Sequence, residues 1–284
     1  MSDVNERTHR FDAEATVLSG QLDLPVSQTI APQAYSKLPE KGGYFNQRSD
    51  SFRIETIISF SAAYSHVSGS KSPKPGRGWD TLTTTVVEGL NVMEVLTADR
   101  VVGQTITEHP LRGYVPTISF LGTRFENLRI AGFPVEVEFD HNIFGPKPVD
   151  DAPYTHDAGF ISRVARQYDR IGSNKDLPTE LAERYNRLSP SLGKSEAAEC
   201  SLVNQATGRY PGKSFGHIIR VPGFGIITLA KLTVKHEKPH EKTKIPKKTT
   251  FTLTMIDLKL GCAIQGEVLV GEGPTNGDPG GGGG

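Results

Sequence analysis

Apolar residues recur at every second position over long stretches of this chain. Leu18, Leu22 and Leu24 share one phase, while Ser19, Gln21 and Asp23 share the other. Phe52, Ile54, Ile58 and Phe60 alternate with Arg53, Glu55 and Ser59, and Val135, Val137 and Phe139 alternate with Glu136, Glu138 and Asp140. A strand with one wet face reads this way, and antiparallel sheets are its usual home. Turn residues punctuate the runs at Gly42-Gly43, Pro73 to Gly78, Gly113, Gly132 and Gly145-Pro146. The pattern predicts a mainly β fold, an antiparallel β-sandwich or flattened barrel.

Two departures from period two refine this. Thr85-Val-Val-Glu-Gly-Leu-Asn-Val92 is echoed by Thr123-Arg-Phe-Glu-Asn-Leu-Arg-Ile130, and more faintly by Leu229-Ala-Lys-Leu-Thr-Val234. In each an apolar residue and a Leu lie three apart, so a plain strand would place them on opposite faces. A β-bulge restores a common face. Between Thr155 and Leu188 the period becomes helical: Phe160, Ile161, Val164, Ala165, Tyr168 and Ile171 form one stripe, opposite Arg163, Arg166 and Arg170. Thr155 or Asp157 caps the start and Gly172 the end, and a second helix is expected from Pro178 to Leu188. The expected organisation is a flexible N-terminus over 1–14, a β-rich part over 15–150, a two-helix insertion over 151–195, a β-rich part completing the core over 196–272, and a disordered Gly-rich tail over 273–284. Between Phe251 and Leu260 the apolar phase switches, which calls for a bulge near Met255 or burial of both faces.

Charge narrows function only by exclusion. Lysine plus arginine, 32, balances aspartate plus glutamate, 32, so no global field points to nucleic acid or membrane. Met1 to Glu14 is charged and lacks the apolar stretch of a signal peptide, and no apolar run approaches the ~18 residues of a membrane helix. Cys200 and Cys262 are too few for a disulfide framework and read as buried thiols. A cytoplasmic location is expected, with non-classical export left open.

Three catalytic letter patterns occur, and each lacks what its chemistry needs. Gly212-Lys-Ser-Phe-Gly216 matches a nucleophile elbow, which requires strand, sharp turn and helix, but β-branched residues and Pro222 follow. Gly208 to Ser214 is one residue short of a phosphate loop, and Pro211 removes a backbone donor. His236-Glu-Lys-Pro-His240 matches a zinc-protease helix, yet Pro239 opposes the helix that would align both histidines. No catalytic, cofactor or metal residue is therefore assigned.

The basic segment is the strongest remaining feature. Lys231, Lys235, Lys238, Lys242, Lys244, Lys247 and Lys248 stand against Glu237 and Glu241, flanked by strand-like sequence. This predicts a hairpin arm whose lysines Lys235, Lys238, Lys242, Lys244, Lys247 and Lys248 meet a protein or anionic partner, or protect a sheet edge. Interleaved aromatics are missing, which argues against nucleic acid. Trp79, after the loop from Ser68, is a second candidate contact, weighed against core packing. The expected function is a non-enzymatic binding or assembly protein, with oligomerisation open. The alternatives are a binder of anionic or phosphate-bearing ligands, and a hydrolase or metal-dependent enzyme assembled from distant residues. A deep cleft of shifted acids or histidines would favour the enzyme. A flat exposed strand would favour assembly.

Overall fold

The computed structural model describes residues 9–25, 27–237, 248–261 and 263–279, the last four of these by backbone alone. In chain order the first half holds β1 (His9–Leu24), β2 (Gln28–Gln33), β3 (Ser36–Lys37), β4 (Gly43–Ser49), β5 (Phe52–Ile54), β6 (Ile58–Phe60), β7 (Ala62–Lys71), β8 (Trp79–Val92) and β9 (Leu96–His109). Short strands follow: β10 (Thr117–Ser119), β11 (Arg124–Glu126), β12 (Arg129–Ile130), β13 (Phe133–Pro134) and β14 (Glu136–Phe139). Helices α1 (Ala158–Gly172) and α2 (Thr179–Leu188) come next. The second half holds β15 (Ala197–Ser201), β16 (Val203–Thr207), β17 (Lys213–Phe215), β18 (Ile218–Val221), β19 (Gly225–His236), β20 (Thr249–Gly261) and β21 (Gln265–Pro279).

Strands make up 56% of the described residues, pair antiparallel and do not close into a barrel. One sheet runs β17-β18-β19-β20-β21-β1-β2, with β15 also on β19 and β3 on β1. The other is centred on β8 and β9, with β7, β4, β6 and β5 on one side and β10 to β13 on the other. This is the expected sandwich. Among the described residues no helix is long and apolar enough to cross a membrane.

The sheets approach closely where small and hydroxylated residues meet. Thr83 Oγ1 and Thr275 Oγ1 lie 2.8 Å apart across the gap, and Ser36 and Ser65 hydroxyls lie 2.6 Å apart. A side chain at Gly103 would stand 2.8 Å from both Met255 and Thr85, so only glycine lets the sheets come this close. Met255 lies in a stretch of β20, Leu253 to Leu258, that is buried throughout.

The internal repeat has a structural meaning. The strand β8 and the pair β11–β12 flank β9 in equivalent registers: Glu88 and Glu126 both face Arg100, while Val92 and Ile130 both face Leu96. Each copy carries the expected bulge, with positive φ at Gly89 (63°) and Asn127 (52°). Across Gly89 the bulge places Val87 and Leu90, three apart, both in the core. Ala230, at φ 43°, does the same between buried Leu229 and Leu232.

Both helices form where the period changes. Asp157 caps α1 by accepting a bond from Phe160 N–H at 2.7 Å, and Pro178 precedes α2. The apolar stripe of α1 is buried at Phe160, Val164, Tyr168 and Ile171. The same helix covers a sheet edge. Gln167 donates to the carbonyls of Ser201 and Val203 at 3.1 and 3.4 Å, and its amide oxygen accepts from Ser201 N–H at 2.8 Å. Tyr168 donates to the Glu199 carbonyl. Buried backbone groups at β15 and β16 are thus paired by side chains rather than by another strand. Replacing Gln167 by Ala should cost about 3 kcal/mol in urea denaturation, since it orphans three buried groups at ~1 kcal/mol or more each. Replacing exposed Arg166 should cost under about 0.5 kcal/mol.

Both termini correct the expected boundaries. Residues 9–14 are not flexible: β1 begins at His9, and Phe11, Ala13 and Ala15 are buried. Residues 273–279 are not a disordered tail either, because β21 runs to Pro279 between β20 and β1. Positions 1–8 and 280–284 lie outside the described residues.

Candidate interaction surface

Ser214 and His236, which fell in catalytic letter patterns, and His217, which did not, lie in unrelated places. Ser214 lies on three-residue β17, its hydroxyl bonded to Tyr210, and β18 rather than a helix follows. His217 is buried on the approach to β18, with Nε2 3.3 Å from Tyr185 Oη; burial and then Arg184 push it down to about 3. His236 ends β19, buried, with Nδ1 2.8 Å from Thr249 Oγ1; burial and then His156 push it down to about 4. His236 therefore sits on a strand, and His240 is outside the described residues. Neither imidazole lines the grooves described below. Among the described residues no group of three or more His, Cys, Asp or Glu is arranged to hold a metal.

The proposed contact residues separate. Trp79 is largely buried, 9% exposed at the first position of β8, in a small second core with Phe11, Ala13, Ala15, Leu38 and Val67. Its ring stacks on His9 at 4.9 Å. The expected loop from Ser68 starts later, since β7 continues to Lys71, and it spans 72–78 before β8 begins at Trp79. Lys235 is exposed on β19, and Lys248 is half-buried at the entry to β20. Lys238, Lys242, Lys244 and Lys247 lie outside the described residues.

Lys248 lines a surface groove of about 660 Å³, together with Arg10, Phe11, Asp12, Lys37, Leu38, Pro39 and Glu40. Lys248 Nζ reaches Asp12 at 2.7 Å, and Lys37 Nζ reaches Glu14 at 2.8 Å. Three cations from β1, β3 and the root of the basic segment therefore meet at one end of the sandwich. The Pro39–Gly42 turn on its rim, closed by Gly42 N–H to Pro39 O at 2.8 Å, leads directly into β4.

No residue pattern marked β4 as a site. It is the outer strand of its sheet, pairing among the described residues with β7 alone. Every residue from Gly43 to Arg48 is exposed, with Tyr44 at 63% and Phe45 at 46%. Tyr44, Asn46 and Arg48 share a face: Tyr44 sits 4.3 Å from the His66 ring, and Arg48 lies over the Tyr64 ring at 5.2 Å. Arg48 also pairs with Asp50 at 3.2 Å, so the strand is locally neutral.

Proteins usually blunt such edges with Pro, charge, short strands or a cover. The other margins here follow that rule. The strand β2 carries Pro32 and β13 carries Pro134; β5 and β17 have three residues each and carry Arg53 and Lys213. Glu136 and Glu138 mark β14, and α1 covers β15 and β16. Seven-residue β4 has no Pro, no Lys and no carboxylate, its one charge is Arg48, and among the described residues no strand or helix is paired along its outer side.

Residues 9–235 match the model of a family described as a domain of unknown function, DUF8256. This chain belongs to that family. No curated protein and no solved structure matches it. The DUF8256 match takes in β4, the groove residues of β1 and β3, and both helices; β20 and β21 lie beyond it.

Proposed function

We propose that this protein is a non-enzymatic binding and assembly protein that acts by strand addition at the β4 edge. One observation carries the reading: β4 offers a seven-residue row of backbone donors and acceptors with no Pro, Lys or carboxylate, Arg48 as its one charge, and no second strand paired to it among the described residues. Main-chain bonds would supply affinity, and the exposed Tyr44 and Phe45 would supply selectivity. The adjacent groove supports a second element, attachment of an anionic partner. Arg10, Lys37 and Lys248 meet there at the root of the seven-lysine segment.

The test replaces Asn46 by Lys, which is exposed and places a charge in the middle of the edge. Complexes formed by the native chain should be lost, at least tenfold in affinity, while the melting temperature stays within about 2 °C. Unchanged complexes in this variant would overturn the edge reading. Binding that survives the substitution but fades as salt rises past about 0.15 M would place the contact at the groove instead.

A further inference from the structure

We infer that the strand added to β4 is β4 of a second copy, antiparallel about a two-fold axis through Asn46. This rests on the edge reading above and names its partner.

Register decides the argument. In an antiparallel pair closed by a two-fold axis, the residue on the axis faces its own copy, and all other pairs follow. With Asn46 on the axis, all seven residues of β4 overlap. Tyr44 then faces the partner's Arg48, Phe45 faces the partner's Gln47, and Gly43 faces the partner's Ser49. No charge faces a charge, so the pair carries no like-charge penalty. Sliding the axis to Phe45 shortens the overlap and brings Glu40 towards the partner's Asp50. Sliding it to Gln47 brings Lys41 towards the partner's Arg53. Both shifts oppose like charges.

The side chains are complementary in the favoured register. Arg48 already lies over the Tyr64 ring of its own chain. The partner's Tyr44 would bring a second ring to the same guanidinium, a cation–π arrangement repeated on both sides of the axis. Exposure of both faces of β4 leaves room for the approaching strand, and pairing would join the two β8–β9 sheets into one continuous sheet. A contact of one strand per copy falls below the ~1,200 Å² of standard interfaces, so dissociation constants of about 10–100 μM are expected.

The test is site-specific disulfide formation in a Cys262→Ser background, where buried Cys200 remains. Asn46→Cys should cross-link under mild oxidation, because residues on the axis have Cα atoms about 4.5–5.5 Å apart. Phe45→Cys alone and Gln47→Cys alone should not, being offset by two residues. A mixture of those two variants should form the mixed disulfide. Sedimentation equilibrium of the native chain should show reversible dimers across the micromolar range. A monomer throughout, or a dimer that Asn46→Cys does not cross-link, overturns the proposal. If a complex lost in Asn46→Lys contains a different chain, the second copy is overturned and the edge reading stands. If Asn46→Lys changes nothing, the edge reading itself is overturned.

Discussion

A chain ending at Glu272 is expected to lose cooperative folding, or to melt at least about 10 °C lower than the full chain. Residues 273–279 form the middle of a sheet rather than a tail. On one side Gly273 to Gly277 pair with Thr249 to Leu253 of β20, and on the other Thr275 to Pro279 pair with His9 to Ala13 of β1. Truncation would break both ladders and separate β1 from β20 at that end of the sandwich. It would also remove the bond between the Thr83 hydroxyl and fully buried Thr275 across the sheets, leaving Thr83 only the longer contact to the Thr105 carbonyl at 3.5 Å. At roughly 1 kcal/mol net per hydrogen bond the loss exceeds about 5 kcal/mol, comparable with the whole stability of many domains. Circular dichroism melts of the two chains would measure it. A truncated chain that melts within a few degrees of the full one would show that these pairings are marginal. A chain ending at Pro279 retains every pairing described above.

That segment also shows where composition misleads. Glu272-Gly-Pro-Thr-Asn-Gly-Asp-Pro279 has no apolar residue and leads into glycines, so it reads as disordered. Its small residues instead serve close packing: Gly273 lies against Thr83, and Thr275 bonds to it across the sheets. A threonine-lined interface leaves no hydrophobic signature. At the other end the signature was present, since Phe11, Ala13 and Ala15 continue the alternation of β1, but the charges between them suggested a flexible terminus.

Local signals carried furthest where one residue type was required. The spacing of three in the repeat demanded a bulge, and Gly89 and Asn127 are residues that adopt positive φ readily. The helical stripe and its Asp157 cap were equally legible. The interaction surface was not. The groove joins Asp12 to Lys248, 236 positions apart, and β4 lacks alternation because neither of its faces is buried. An unprotected edge becomes visible only when the other edges are known to be blocked. Trp79 illustrates the converse: a sole tryptophan after a Gly/Pro-rich stretch left a contact and core packing both open, and its ring lies in a small core.

Acidification from pH 7 to 5 is expected to remove about 4 kcal/mol of stability through two histidines. Burial pushes His217 down to about 3 and His236 down to about 4, from an ordinary value near 6.5. Both are therefore neutral in the fold at pH 5, whereas in the unfolded chain both are mostly protonated. His217 Nδ1 and His236 Nε2 find no hydrogen-bond partner among the described residues, so the fold offers nothing to an added proton. Unfolding then takes up nearly two protons, and stability falls with pH at up to about 2.7 kcal/mol per unit below 6.5. The fall ends as pH passes the folded values near 4 and 3. His66, lowered by burial, acts in the same direction. Glu272 acts in the opposite one, because burial raises its carboxyl and protonation therefore favours the fold. Urea denaturation at pH 7, 6 and 5 should show the midpoint dropping with little change in slope. Replacing His217 or His236 by Gln should each flatten the dependence by about one proton, even where the substitution lowers stability at pH 7. A midpoint that holds constant from pH 7 to 5 would mean that both imidazoles accept protons inside the folded chain.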